Sequence, residues 1–213
     1  MTTVPANPKI YHITHIDNFD NILRDKVLWS DAKRIERGMP CEIIGMSEIK
    51  RRRLVLPVDC HLNTTVGQYV PFYFCSRSIM LFILHKGNHP DITYHGGQEP
   101  ILHLEVDLKA AIRWAENNNV RWAFSDRNAG GYLAKFYKSV DDLDKINWPA
   151  VESTVFRDML IKEGKQAEFL TYESFPLNLI EKIGVCNSRV RDQVIQKLGN
   201  VRILVTVEGT WYY

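Results

Sequence analysis

The spacing of apolar and polar positions predicts short strands and short helices in an irregular order. Ile10 to Ile13 reads as a short strand. Thr14, with Asp17 three residues on, resembles a capping box, and Phe19, Ile22 and Leu23 then supply one apolar helix face. Arg34 to Arg53 is polar, contains Gly38 and Pro40, and is expected to be a long functional loop ending in a helical turn. Tyr69 to Cys75 is dense in aromatics and predicts a strand, with Pro71 marking an edge or a bulge. Arg77 to His85 predicts a short buried helix, His89 to Pro100 a loop, and Ile101 to Val106 a strand.

The pattern continues with a helix over Ala110 to Asn117, a strand over Val120 to Phe124 and a polar loop from Ser125 to Gly131. Pro149 suits the first turn of a helix. Val151, Val155, Phe156, Met159 and Leu160 then share one face, and Gly164 closes that helix. Ala167 to Tyr172 and Ile180 to Cys186 read as strands. Ser188 is expected to cap a helix that turns Val190, Val194 and Leu198 inward, and Arg202 to Val207 is a last strand. Strands outnumber long helices and the order is not βαβ throughout, so the expected class is α+β. There is no repeat, low-complexity stretch or Gly/Ser linker, which makes residues 1–213 one expected domain.

Composition narrows this. The chain has 213 residues, 45% hydrophobic, 24% charged and 11% aromatic, which excludes disordered and fibrous classes. Its longest apolar run, Ile79 to Leu84, has six residues, whereas a membrane span needs about 20. No signal peptide is read at the start, so the expected compartment is the cytoplasm, with no membrane partner. Cys41, Cys60, Cys75 and Cys186 are widely and irregularly spaced, with no CxxC, and are expected to be free thiols. The net charge is +2, but it is uneven: Lys33 to Arg53 alone carries +4, and the rest of the chain −2. A focused basic patch suits an anionic partner, although a solvated face reads the same way.

Common chemistries are absent from the motifs. His85 and His89 stand four apart as in HExxH, but Gly87, Asn88 and Pro90 break any helix there and no Glu takes the second position, so no metal is expected. There is no GxSxG, no P-loop and no GxGxxG after a strand. Three features remain. The first is Tyr11-His12-Ile13-Thr14-His15 at a strand end; the second is the basic run Lys50-Arg51-Arg52-Arg53. The third is Glu168, set between Ala167 and Phe169. By strand alternation Glu168 shares a face with Leu170 and Tyr172. It is either an outward polar residue or a carboxylate kept for charge stabilisation.

At these residues the chain resembles the DarT family, the DNA ADP-ribosyltransferase toxins of DarT–DarG toxin–antitoxin systems. The blocks that carry the resemblance are Ile10-Tyr-His-Ile-Thr-His-Ile-Asp-Asn18, Tyr69-Val-Pro-Phe-Tyr-Phe-Cys-Ser-Arg-Ser78, Gly97-Gln-Glu-Pro-Ile-Leu-His-Leu104, Phe124-Ser-Asp-Arg127, Lys165-Gln-Ala-Glu-Phe-Leu170 and Trp211-Tyr-Tyr213. They run in order from Ile10 to the chain end. An arginine at Arg53 makes the likeness closer to the thymidine-modifying branch than to the guanosine branch.

The resemblance implies an ADP-ribosyltransferase-like fold, with two β-sheets forming a cleft for NAD and helices around them. It implies NAD as donor, single-stranded DNA as acceptor and a DarG-like macrodomain antitoxin as partner. It places His12, Thr14 and Asn18 in the NAD-binding element, Arg53 at the catalytic arginine that also serves NAD binding, and Glu168 at the catalytic glutamate. Arg51 and Arg52 lie within one or two residues of that arginine's register. Asp141 to Gln166 corresponds to the substrate-facing region. Asn128 stands where the family can carry histidine. Lys33, Arg34, Arg37, Arg51, Arg52 and Arg77 are expected to serve DNA phosphates, with Asn128 on the same acceptor side. Tyr69, Phe72, Tyr73 and Phe74 read mainly as core, and Trp148 as the more exposed stacking candidate. Transfer to RNA or protein, or a non-catalytic nucleic-acid-binding module, are the competing expectations.

Overall fold

A computed structural model describes residues 3–213. Its framework is a chain of antiparallel pairings made by alternating apolar segments. Strand β1 (Lys9–His15) is followed by a 3₁₀ turn and helix α1 (Phe19–Asp25). Then come β2 (Val27–Trp29), α2 (Asp31–Glu36), α3 (Ser47–Arg53), β3 (Tyr69–Tyr73) and α4 (Ile79–Lys86). The middle of the chain gives β4 (Ile101–Asp107), α5 (Leu108–Asn117), β5 (Trp122–Ser125), β6 (Phe136–Tyr137), α6 (Trp148–Glu152) and α7 (Met159–Gly164). The last elements are β7 (Glu168–Tyr172), β8 (Ser174–Pro176), β9 (Lys182–Val185), α8 (Ser188–Leu198) and β10 (Leu204–Val207).

Eight strands form one sheet in the order β10-β9-β4-β1-β3-β7-β5-β6, and β2 pairs with β8 in a small second sheet. The pairing is uneven at the middle of the large sheet. β1 pairs with β4 along its whole length, from Lys9 opposite Asp107 to His15 opposite Ile101. β3 likewise pairs fully with β7, from Tyr69 opposite Tyr172 to Tyr73 opposite Glu168. β1 and β3 meet only where Tyr11 faces Tyr73. The two halves therefore splay apart beyond that pair and leave a cleft between them. The apolar faces of both halves are buried, with Ile10, Phe72, Leu104, Phe124, Phe169 and Phe175 in one continuous core.

Pro71 explains part of this opening. It sits inside an interior strand, opposite Leu170, rather than on a sheet edge as its presence suggests. Its carbonyl accepts from His12 Nδ1 at 2.8 Å, so the side of Pro71 that faces β1 is the side without an N–H. A ladder to β1 has no donor there, and proline is tolerated because none is made.

Several local expectations are corrected. The basic segment begins as helix α2, because Ser30 caps it by accepting from Lys33 N at 3.2 Å; only residues 37–46 are loop before α3. Thr14 does not cap the first turn: His15 Nδ1 accepts from Asp17 N, and Thr14 accepts from Asn18 instead. Asn187, not Ser188, caps α8 through Val190 N. The helix expected from Pro149 to Gly164 is two short ones. Ser153 turns the chain through Val155, and Asp158 restarts it by accepting from Leu160 N and Ile161 N. Val155, Met159 and Leu160 are consequently exposed rather than inward. Trp148 is buried, with its indole N–H donating to Leu143 O, and is no stacking surface. Among the described residues no helix is long and apolar enough to cross a membrane. All four cysteines are free.

Candidate active site

The cleft between β1 and β3 is a cavity of about 210 Å³. Its floor comes from β1 and β3, with His12, Thr14, Pro71 and Tyr73 facing in. One wall is α2, the loop after it and α3, with Asp31, Met39, Cys41, Lys50 and Arg53. The opposite wall is Asn128, Gln166 and Glu168.

Helix geometry sorts the basic run. Successive residues on a helix point about 100° apart, so Lys50 and Arg53, three apart, share the face that lines the cleft, while Arg51 and Arg52 turn away from it. Lys50 Nζ donates to both oxygens of Asp31, at 3.0 and 2.9 Å. Arg51 points to solvent. Arg52 Nε donates to Gly130 O, and its guanidinium lies over the Tyr132 ring at 5.0 Å from the centroid. Arg53 reaches across the cleft and grips Glu168 with both terminal guanidinium nitrogens, Nη1 to Oε1 at 3.0 Å, Nη1 to Oε2 at 2.9 Å and Nη2 to Oε2 at 2.9 Å.

Glu168 opens β7 and is 1% exposed. A carboxylate buried so deeply requires compensation, and it has more than the arginine: Ala129 N donates to Oε1 at 2.9 Å. Its own N–H donates to Ser125 Oγ. Burial works against the charge on Arg53, but the Glu168 carboxylate outweighs it and holds the guanidinium above its ordinary value. Tyr73 lies directly across the ladder from Glu168. Burial, and behind it the Glu168 charge, push its phenol well above the usual range, so it is a donor and not an anion.

The loop that donates to Glu168 fits because of one glycine. A Cβ on Gly130 would stand 2.8 Å from Ile49 Cγ2 and 3.2 Å from Arg53 Cγ. Asn128 braces the same loop, accepting from Gly130 N at 2.8 Å and donating to Gln166 Oε1 at 3.2 Å.

His12 is half-buried in the cleft floor, and burial pushes its imidazole down to about 4, so it is neutral near pH 7. A carbonyl can only accept, so the Pro71 contact fixes the proton on Nδ1 and leaves Nε2 as an acceptor. Asn18 spends its amide on the loop above the cleft, donating to Glu42 O at 2.9 Å and accepting from Glu42 N at 2.7 Å. Asn21 ties Pro40 O in the same way. Asp31 is the second carboxylate of the site. Burial alone would raise its carboxyl, but Lys50 and Arg34 outweigh that and hold it well below the usual range.

The cleft thus gathers His12, Thr14, Asn18, Arg53, Asn128 and Glu168. Arg77 is not among them. It lies over the ring of Tyr213 at 4.2 Å, in a separate hollow with Cys75 and Lys165. Asp31 and Gln166 also line the cleft and were not singled out from sequence; Lys50 was read only as one of the basic run, and Tyr73, read mainly as core, faces the cleft instead. The signal for Tyr73 was alternation, since Phe72 and Phe74 are core and leave Tyr73 the other face. Asp31 carried no comparable signal. Among the described residues no group of three or more His, Cys, Asp or Glu side chains gathers to hold a metal.

A family model for DarT, described as an ssDNA thymidine ADP-ribosyltransferase, matches residues 11–213. The chain belongs to the DarT family. It is 36% identical to a DNA ADP-ribosyl transferase of Thermus sp. (strain 2.9), covering 99% of each chain. Two solved structures of Thermus sp. 2.9 DarT superpose on it. One, in complex with ADP-ribosylated ssDNA, gives a TM-score of 0.90 at 35% identity over 100% of this chain and 99% of that one. The other, in complex with NAD+, gives 0.80 at 34% identity over 99% and 100%. The fold is thus the α+β, ADP-ribosyltransferase-like fold of DarT, with its halves joined through a single residue pair rather than fully separate.

Proposed function

We propose that this chain transfers the ADP-ribose of NAD to thymidine in single-stranded DNA. The carrying observation is the buried Arg53–Glu168 pair at the inner end of the cleft. Family membership supports the reaction, and relatives with NAD+ and with ADP-ribosylated ssDNA support the donor and acceptor.

The chemistry suits the residues. As the bond between ribose and nicotinamide breaks, its electron pair leaves with nicotinamide and positive charge builds on the ribose. Glu168 is an anion prepositioned where water is excluded, which is where such a charge is stabilised most. Arg53 and the Ala129 N–H hold that anion still before the substrate arrives. A new bond then forms from the ribose carbon to thymine N3, whose proton passes to solvent water. Arg53 does not take that proton, because Glu168 holds it firmly protonated. Its part is to hold Glu168 and to stabilise negative charge developing on the base. The Nε2 of His12 is an acceptor for a ribose hydroxyl, and Thr14 and Asn18 shape the donor end of the cleft. Arg51 and Arg52 serve the DNA phosphates, and Asn128 the acceptor side; Arg77, packed over Tyr213 in a separate hollow, has no part in this reading.

The test is mass spectrometry of oligonucleotides after incubation with protein and NAD. A single added ADP-ribose on strands that contain thymidine, and none on strands that lack it, is the expected result. Equal modification of RNA or of protein in a competition assay would overturn the acceptor. The same reading assigns a toxin acting in the cytoplasm, with a macrodomain antitoxin that removes the modification; treating modified DNA with such a macrodomain restores the unmodified mass.

A further inference from the structure

Among the described residues Tyr132 is the one Phe, Tyr or Trp whose side chain is exposed, at 78%. Every other Phe, Tyr and Trp ring is buried or half-buried. The place of the exception is specific. Two residues earlier, Gly130 packs against Arg53, and one before that Ala129 N donates to Glu168. Tyr132 therefore stands on the loop that closes the reactive pair, at its solvent side. The ring is not loose: Arg52 lies over one face at 5.0 Å while its Nε donates to Gly130 O. Leu133, 75% exposed, continues the same surface.

We infer that Tyr132 is a stacking platform for a base of the DNA strand beside the target thymidine, with Arg52 bracing the ring. This rests on the proposed DNA substrate and names an acceptor-side positioning residue for it. Single strands are held by cations for the phosphates and flat rings for the bases. Arg52 supplies a cation against this ring, and Arg51, exposed on the same helix, a second one. The other rings weighed for stacking are unsuited to it, since Tyr69, Phe72, Phe74 and Trp148 are buried. A ring backed by a guanidinium is also held in place before the base arrives, so little ordering remains to be done on binding. Stacking of this kind tolerates different bases, because each has a π-face.

The test compares the parent chain with Tyr132→Ala and Tyr132→Phe at saturating NAD, varying a thymidine-bearing oligonucleotide. The half-saturating oligonucleotide concentration should rise by about five-fold to a hundred-fold in Tyr132→Ala, and stay near the parent value in Tyr132→Phe, which keeps the ring. The thermal shift produced by NAD alone should be the same in all three. An unchanged half-saturation in Tyr132→Ala overturns the inference. So does a loss of the NAD shift in step with transfer, which would make the ring a structural prop. If the parent modifies no DNA, the proposed function fails by itself. Fluorescence anisotropy of the same labelled oligonucleotide, parent against Tyr132→Ala, then decides the platform: weaker binding supports it and equal binding removes it.

Discussion

At the residue scale, the site depends on one anion and one cation that compensate each other across 115 positions of sequence. Glu168→Gln keeps the shape and removes the charge. Transfer should fall by about 10²-fold or more, read as the initial rate of mass gain on the oligonucleotide. The same variant leaves the Arg53 cation buried without its partner, so the melting temperature should fall too, by the equivalent of about 3–5 kcal/mol. A Glu168→Gln protein that transfers at the parent rate would remove Glu168 from the chemistry. Arg53→Lys retains a positive charge but loses the planar fork, and should be nearly as slow. Arg51→Ala should act differently. It should weaken DNA binding and flatten its salt dependence by about 0.7 in log–log slope, as expected for one phosphate contact on a single strand. The run Lys50 to Arg53 was legible as a basic element, but not which member works. That depends on the helical phase of α3, set where the helix begins at Ser47 and not by the identity of the four residues. The burial of Glu168 was equally hidden, because its compensation comes from Arg53 and Ala129, both distant in sequence.

At the element scale, strands with long ladders were readable and short connecting pieces were not. β1, β3, β4, β5, β7 and β9 coincide with runs of alternating or continuous apolar residues. β2, β6 and β8 have two or three residues each, too few for a period to show. The break between α6 and α7 was also unreadable: the apolar spacing continues through it, while Ser153 and Asp158 bond to nearby backbone and end it. Loop 37–46 matters most for function, because it forms one side of the cleft and is pinned by two amides, Asn18 on Glu42 and Asn21 on Pro40. Asn18→Ala leaves both backbone groups of Glu42 without that partner. The expected result is faster proteolytic cutting between residues 37 and 46 and a higher KM for NAD, with transfer at saturating NAD affected less. Gly130→Ala tests the opposite wall. Its methyl would stand 2.8 Å from Ile49 and 3.2 Å from Arg53, so it should cost about 1–3 kcal/mol of stability and slow transfer by displacing Arg53.

At the scale of the whole molecule, the fold is a sheet that nearly divides, and the division is the active site. The two halves are each well paired, and the single ladder pair of Tyr11 with Tyr73 lets the cleft open without leaving a fully exposed ladder edge, since Pro71 has no N–H to satisfy on that side and its carbonyl is taken by His12. Burying the residues beside this split has a consequence for acid stability. His103 in β4 is fully buried and His12 in β1 half-buried, and burial pushes each imidazole down to about 4. In the unfolded chain both would titrate near 6.5. Between those values the unfolded state holds the extra protons, so stability rises with pH there. The contribution of each histidine is complete above about pH 6.5 and is lost as the pH falls toward 4. The loss is roughly 3 kcal/mol for each, against a typical total of about 5–15 kcal/mol for a folded domain. The melting temperature should therefore decline steadily from pH 6.5 downward, before most carboxylates begin to protonate. Proton NMR gives the direct check: the His12 and His103 signals should keep neutral imidazole shifts down to about pH 4 or until the protein unfolds. If the His12 and His103 signals instead move near pH 6.5, burial does not hold those imidazoles neutral and this account of the acid stability fails.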